Sequence, residues 1–331
     1  MERHHPIWLA IAWISVLAGA VILLSDLFPR LQQVPGLAVL AAVGPYGALL
    51  WLFAVAVIAI AGKRRGRLLS LVALAGLIGH ATLLIPYAPQ QPPEGTAQFR
   101  VMELNLCFGR ANLNQLYVQV ERYLPEVVVL TEITEGNVAT LDNPLWNAAY
   151  PYHLGTPGKD AANGIGDPSG TVVYAKHALT PLDGLQDMTN QAVVAKVSNN
   201  DDPDSSFTIV AAHMVNPLRD PNAWVADGDK LVSLAASNSA TPLVIAGDLN
   251  ATHESLPMRL LTSAGMADAK MSSGSGWQPT FPSNLMPIPP LVAIDHILVN
   301  DSFEALAVTP ISVSGTDHLG LVADLALASV R

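Results

Sequence analysis

"VIAGDLNATHES", Val244–Ser255, decides how the rest of the chain is read. An apolar run from Leu243 to Ala246 stops at Gly247, and Asp248, Asn250, His253 and Glu254 follow within seven residues. A short apolar run bounded by turn residues reads as a buried strand, and polar groups released together at its end lie at the rim of a sheet. Rims and loops carried by a rigid scaffold are where binding and catalytic groups concentrate.

The same pattern recurs along the chain. Strand-like runs at Phe99–Leu104, Val127–Leu130, Thr171–Tyr174, Phe207–Ala212, Leu291–Val299 and Leu319–Leu325 alternate with helical patterns. One helix carries Leu113, Leu116, Val120 and Leu124 behind Asn112 as N-cap; another carries Trp224, Leu231 and Leu234. Strands interleaved with helices predict an α+β sandwich, with sheets inside and helices outside. The polar residues at or beside the strand ends form a series: Asn105 in "VMELN", Glu132 in "VVVLTE", His213 in "VAAHMVNP", Asp248 and Asn250 in "IAGDLN", Asp295 in "AIDHILV", then Asp317 and His318 in "GTDHLG".

Their chemistry can be argued from residue type. Carboxylates, amides and imidazoles gathered at one rim suit a hydrolysis, which needs charge neutralisation, an activated water and help for the departing group. Glu132 and Asp317 are hard oxygen donors suited to Mg²⁺, and also to Mn²⁺, whereas zinc favours His or Cys clusters. A carboxylate such as Asp248 is the base required for the water.

In this order the six motifs resemble the endonuclease/exonuclease/phosphatase superfamily, from about Phe99 to Leu325, with Gly247–Asn250 and Asp317–His318 as the strongest pieces. The resemblance implies a four-layered α/β sandwich with two packed central sheets. It implies Glu132 as the principal metal ligand, with Asn105 and Asp317 beside the metal, directly or through water. Asp248 orients and deprotonates the attacking water, Asn250 donates to a phosphoryl oxygen, and His318 faces the phosphate with Asp295 behind it. His213 makes a second phosphate contact or protonates the leaving oxygen. Thr316 stands where many relatives have Ser, keeping the hydroxyl, and Phe281 where Trp is frequent.

The N-terminal part differs in composition. Half of the 331 residues are hydrophobic and 13% charged. The apolar excess lies in residues 7–27, 37–62 and 68–87, each about the 20 residues needed to cross a hydrocarbon core. The expectation is a three-helix transmembrane region over 1–87, kinked at Pro45, then a Pro-rich linker at 88–98 and a catalytic domain at 99–331. Two further spans and the lack of a small-residue cleavage site argue against a removed signal peptide. Lys63, Arg64, Arg65 and Arg67 between the second and third spans put that turn in the cytoplasm, with Arg3. This predicts a multi-pass cell-membrane protein with a cytoplasmic N-terminus and an extracytoplasmic catalytic domain. No acidic partner for His80 is evident in the spans, so it reads as a neutral, packed or interface-facing imidazole.

Charge narrows the partners. Residues 1–95 hold six Lys/Arg and three Asp/Glu, so the remainder carries eleven basic and 24 acidic side chains, a net −13. A phosphate-tracking nucleic-acid binder needs a basic stripe, and none is visible. A small or lipid-linked phosphoester is therefore the first expectation, an extracytoplasmic nuclease the second, and a non-catalytic binding module the third. Cys107, the single cysteine, excludes an intrachain disulfide. His153, His177, His253 and His296 read as structural, His253 as a brace for the Asp248 loop. Asp268 in "AGMADA" reads as a turn residue or an orienting group. "NNDDPDSS", Asn199–Ser206, lacks the Gly and closing Glu of a calcium loop and reads as a solvated hairpin turn.

Overall fold

Two rows of side chains on one strand organise the larger part of the molecule. In β1, Phe99–Asn105, residues Phe99 and Val101 enter a core with Val129, Ile209, Val244 and Ile297, while Met102 and Leu104 enter another with Leu116, Val120 and Trp146. Successive strand side chains point to opposite faces, so a strand buried on both faces must lie between a second sheet and a helical layer.

The computed structural model describes residues 5–61, 67–88, 91–160, 167–198 and 205–328. The chain forms two compact units, Met1–Ala88 with Thr252–Leu256, and Pro89–Ala251 with Pro257–Arg331. In the larger unit, β1 is followed by β2 Val127–Thr131, β3 Tyr152–Thr156, β4 Thr171–Ala175, β5 Ala178–Pro181 and β6 Ala192–Ser198. The later strands are β7 Phe207–Ala212, β8 Leu243–Asp248, β9 Ala267–Asp268, β10 Asp295–Val299, β11 Phe303–Ile311 and β12 Gly320–Leu327. They make two six-stranded sheets, β11-β12-β1-β2-β4-β3 and β5-β6-β7-β8-β10-β9. At the heart of each sheet lies a parallel pair, β1 with β2 and β7 with β8, flanked by antiparallel neighbours.

This topology brings the motifs to one edge. The C-terminal ends of β1, β2, β7 and β8 open there, and β10 and β12 run antiparallel to β8 and β1, so they begin there. The far end of the same interior is closed by edge-to-face contacts of Phe99, Phe207 and Phe303.

Helix signals were legible. Asn112 caps the helix Leu113–Tyr123 by accepting from the amides of Asn114 and Gln115, and Asp220 caps Pro221–Ser237 in the same way. The expected strand at Leu291–Val299 begins only at Asp295, because 291–294 belongs to an irregular segment touching Phe281 through one isolated bridge. β3, β5, β6, β9 and β11 escaped sequence reading: β3, β5, β9 and β11 lie at sheet edges and β6 beside one, where strands are short or their apolar rows are interrupted by exposed residues such as Lys196 and Pro310. The hairpin expected at Asn199–Ser206 falls largely outside the described residues, as do Arg3, Lys63, Arg64 and Arg65, on which the orientation rested.

The N-terminal unit corrects the expectation of three spans to one candidate span. His5–Leu27 forms one continuous helix, and Ile7–Leu27 is the one stretch among the described residues long and apolar enough to cross a membrane. The second apolar stretch is broken into Leu37–Ala42, a tight turn Gly44–Tyr46 and Gly47–Ala61, because Pro45 cannot continue the amide ladder. The helices Gly47–Ala61 and Arg67–Leu83 have 15 and 17 residues. At 1.5 Å per residue these reach about 22 and 26 Å, short of a hydrocarbon core of about 30 Å.

Inside this unit Trp51 lies against Gly76, where a Cβ would come within 2.4 Å of the indole, so the helices meet at a small residue. Trp51 Nε1 donates to His80 Nδ1 at 2.8 Å, and His80 Nε2 lies 3.1 Å from the carbonyl of Gly44. An indole can only donate, so Nδ1 is the acceptor and the proton sits on Nε2. The packed, neutral imidazole expected from sequence is what this geometry requires. Asp26, however, lies 4.0 Å from His80 Nε2, an acidic neighbour the sequence did not reveal. In the same unit, Gln32 Nε2 donates to the carbonyl of Glu254, Gln32 Oε1 accepts from the amide of Leu256, and Tyr87 donates to Glu254. His253 packs edge-on against Tyr87. The polar burst after Gly247 thus has two destinations, with His253 and Glu254 structural.

Candidate active site

Gly247 makes the rim possible. It adopts φ +136°, and an added Cβ would lie 2.2 Å from the carbonyl of Ala212 on the neighbouring strand. Only glycine allows both the conformation and the approach. Gly247→Ala is expected to displace the end of β8 and to abolish activity with a lowered thermal midpoint, measured by calorimetry alongside turnover.

Asp248 then points into the buried edge and meets groups from both sheets. Asn105 Nδ2 donates to Asp248 Oδ2 at 2.9 Å and to Glu132 Oε1 at 3.2 Å, so one amide spans both carboxylates. Asn105 Oδ1 accepts from the amide of Cys107, and Glu132 Oε2 from the amide of Phe108 at 2.7 Å. Glu132, Asn250, Cys107 and Phe108 all have positive φ, between 46° and 58°. Non-glycine residues in this region are strained by roughly 1–3 kcal/mol each, and such strain clusters at functional sites.

His318 closes the constellation. Its Nδ1 lies 2.9 Å from Asp295 Oδ2, leaving Nε2 directed at Asp248 Oδ2, 3.9 Å away, and Asp317 Oδ1, 3.9 Å away. Thr316 uses its hydroxyl twice, donating to the carbonyl of Asn105 and accepting from the amide of His318, so it ties the last motif to the first. The Phe281 ring covers His318 with centroids 4.9 Å apart. His213 Nδ1 lies 3.0 Å from the carbonyl of Pro168, which can only accept; its Nε2 faces Glu132 and Asp248 at 3.8 and 3.7 Å. Asn250 turns back through its amide to Asp248 Oδ1 and gives one side-chain N–H to the carbonyl of Met214.

Charge is distributed unevenly here. Burial first, and the Asp295 charge second, push the Asp248 carboxyl up to about 6 against the attraction of His318 and His213. Burial disfavours the His318 imidazolium, yet Asp295, Asp248 and Asp317 overcome it and raise the group to about 10. Burial also works against the Asp295 charge, and His318 outweighs it, holding Asp295 below its ordinary range. The edge therefore contains an ionised Asp–His pair beside a carboxylate poised near neutrality.

All eight residues singled out from the sequence lie around this edge. Glu132, His213 and Asp248 form one group with metal-ligand spacing, and Asp248, Asp295 and His318 another. Asp317 belongs to neither group; its side chain is 27% exposed at the rim. The donor set, carboxylate oxygens with an amide and two imidazoles, fits a hard divalent cation held chiefly by oxygen.

Sequence reasoning named Asp268 and His296 but missed Lys270 and the support the three give beneath the edge. Lys270, buried, donates from Nζ to the carbonyl of Asp295 at 2.6 Å. His296 Nδ1 lies 2.7 Å from Asp268 Oδ2, and its Nε2 2.7 Å from the carbonyl of Ala251, next to Asn250. Burial opposes the Asp268 charge, but Lys270 and His296 outweigh it and hold this carboxylate well below its ordinary range. His296 is structural, as expected, and Asp268 is the orienting group rather than a mere turn residue. Removing it in Asp268→Ala strips a buried lysine of its counter-charge, and a loss of about 3–5 kcal/mol is expected in urea unfolding.

Glu103 is the second omission. Two residues before Asn105 on the same strand face, it is fully buried with neither carboxyl oxygen hydrogen-bonded, and burial together with Asp295 raises it well above its ordinary 4.5. Its signal was an acidic residue inside an apolar strand. A raised carboxyl adds stability below 4.5 that is lost as pH climbs through the folded value. Glu103→Gln is therefore expected to match the wild type in urea near pH 4 and to exceed it near pH 8.

Residues 102–318 match the model of the endonuclease/exonuclease/phosphatase family. The chain belongs to that family. Among solved structures, the catalytic domain of human Nocturnin with bound sulfate superposes with TM-score 0.55 at 17% identity, over 73% of this chain and 97% of that one. A mannosyl-6-phosphatase from Bacteroides thetaiotaomicron gives 0.53 at 14%, over 70% and 100%. An endonuclease/exonuclease/phosphatase from Beutenbergia cavernae gives 0.51 at 20%, over 70% and 72%. At these identities the likeness is one of fold. No curated protein matches the chain. Members of the endonuclease/exonuclease/phosphatase family are generally hydrolases of phosphoester bonds.

Proposed function

We propose that the protein is a membrane-anchored, metal-dependent phosphoester hydrolase acting on a small or lipid-linked phosphoester outside the cytoplasm. The observation that carries this reading is Asp248. It is a buried carboxylate raised toward neutrality, bridged by Asn105 to Glu132 and facing His318, whose other nitrogen is paired with Asp295.

Asp248 accepts a proton from water as the water oxygen bonds to phosphorus and the ester oxygen departs. A general base tuned near the working pH is the favourable arrangement. The His318 imidazolium donates from Nε2 to a phosphoryl oxygen, and Asp295 holds the ring in that orientation. Asn250 turns its second side-chain N–H, which lies 3.5 Å from His213 Nε2, to another phosphoryl oxygen, and His213, protonated on both nitrogens, contacts the phosphate or gives its Nε2 proton to the leaving oxygen. Glu132, with Asn105 and Asp317 beside it, would hold Mg²⁺ or Mn²⁺, which supplies charge neutralisation at the phosphoryl oxygens.

The anchor is argued from the helix Ile7–Leu27, which suffices in length and apolarity, and from outward-facing Trp8, Trp13, Ile14, Leu17, Val21 and Leu24 along it. Such a face is costly in water and favourable in lipid. The net −13 of residues 96–331 disfavours a nucleic-acid backbone as partner.

The test is a panel of lipid phosphodiesters, sugar phosphates and DNA, assayed with the full chain in detergent, with and without EDTA. Chelator-sensitive hydrolysis of a lipid or sugar phosphoester is the expected result. Preference for DNA would move the protein to the nucleases, and unchanged turnover in EDTA would remove the metal.

A further inference from the structure

From Met271 to Ile294 the sequence runs for 24 residues without an Asp, Glu, Lys, Arg or His, inside a unit that is otherwise strongly acidic. The middle of this segment projects. Asn284–Pro289 are six consecutive exposed residues; Met286 is 87% exposed, Leu285 and Ile288 are half exposed, and Leu291 lies beside them. Elsewhere in this unit, exposed large apolar residues such as Val118, Leu145 and Leu218 occur singly, which is ordinary for a protein surface. Several large apolar side chains on one short uncharged tip are not, and mark a surface built to leave water.

The base of the projection is firm. Phe281 and Val292 form a bridge, the amide of Leu291 donates to the carbonyl of Phe281, and that of Thr280 to Val292. Pro282, Pro287, Pro289 and Pro290 restrict the backbone between them, so little conformational freedom is left to lose when the tip is immersed. The base is also part of the catalytic edge. Ser283 donates its amide to the carbonyl of Asp317, Leu319 donates to the carbonyl of Thr280, and Phe281 covers His318.

We propose that the tip Leu285–Leu291 dips into the surface of a phospholipid bilayer and holds the mouth of the active site at the lipid interface, where the phosphoester of a lipid-linked substrate lies. This rests on the membrane-anchored reading above. A bilayer is the occupant the chemistry favours. The tip offers no charge with which to recognise an ionic partner, and the same chain carries a helix with the length and apolarity to bring a bilayer to it. Immersion removes apolar side chains from water without desolvating an ion.

The test places an environment-sensitive NBD label at one of three positions in the full chain, using Met286→Cys, Leu17→Cys on the N-terminal helix, or Leu145→Cys on the larger unit. The native Cys107 is buried, so labelling selects the introduced thiol. Each protein is reconstituted in phosphatidylcholine/phosphatidylglycerol vesicles and challenged with doxyl-labelled lipid and with aqueous iodide. At position 286 the expected result is a blue shift, a several-fold rise in emission, quenching by doxyl lipid and protection from iodide. Position 17 should respond likewise, and position 145 should stay in water. Lipid contact at 17 with water contact at 286 overturns the tip proposal and leaves the anchor standing. Water contact at both overturns the anchor as well, and equal lipid contact at 145 and 286 reduces the effect to non-specific adsorption and overturns the tip.

Discussion

Asp248→Asn is expected to lower phosphoester turnover by about 10³-fold, within the range that a positioned general base contributes. Asparagine keeps the shape, but its single oxygen can accept from Asn105 or from the Asn250 amide and not from both, so circular dichroism should stay close to wild type while the thermal midpoint falls modestly. What disappears is the site that takes the proton of the attacking water. The pH profile separates this from a loss of packing. In the wild type, Asp248 must be ionised, and with its carboxyl pushed up to about 6, kcat/KM should fall as pH drops below that value. His318 is raised to about 10, so the alkaline decline belongs there. Asp248→Asn should keep no acid limb in its residual activity. His318→Gln removes a positive neighbour that lowers the Asp248 pKa, so its acid limb should move to higher pH. An unchanged profile in both variants would remove Asp248 from the role of base.

A stability loss as large as that of Asp268→Ala is expected from Asp295→Asn. Asp295 is fully buried and accepts from His318, and losing one member of a buried ion pair costs about 3–5 kcal/mol because the remaining charge has no partner. The pH dependence has a defined sign. The lowered Asp295 carboxyl contributes stability above its ordinary 3.8, lost as pH falls through the folded value. The raised His318 contributes stability below 6.5, lost as pH rises through about 10. The difference between wild type and Asp295→Asn should therefore peak between about pH 4 and 6.5 in guanidinium unfolding and shrink toward pH 10. A constant difference across that range would mean that the variant disturbs packing instead of charge. Turnover should fall too, since the His318 ring loses the group that orients it.

Legibility differed between the edge and its support. Asn105, Glu132, His213, Asp248, Asp295 and His318 were visible because a polar residue ending an apolar run violates the pattern around it. Glu103 violates the same pattern from inside its strand. Asp268, Lys270 and His296 carry no such signal, since a turn aspartate, a helix lysine and a strand histidine are each ordinary where they stand. Only folding brings Lys270 to the carbonyl of Asp295 and His296 to that of Ala251.

Local chemistry along the chain was enough to specify most of the inner strands, the helix capped by Asn112, the polar rim, the acidic balance and one helix able to span a bilayer, because each depends on residues near in sequence. Three matters were decided only in three dimensions. Pro45 was expected to kink the second apolar stretch and instead divides it into separate helices, so its length in residues does not become a length in space. The pairing of β10 with β8 sets Asp295 opposite Asp248, and the pairing of β12 with β1 brings His318, two residues before β12, to the end of β1 that carries Asn105. The burial of that edge, finally, turns ordinary carboxyl and imidazole groups into a base near neutrality beside a persistent ion pair, since desolvation and charge proximity are properties of the fold.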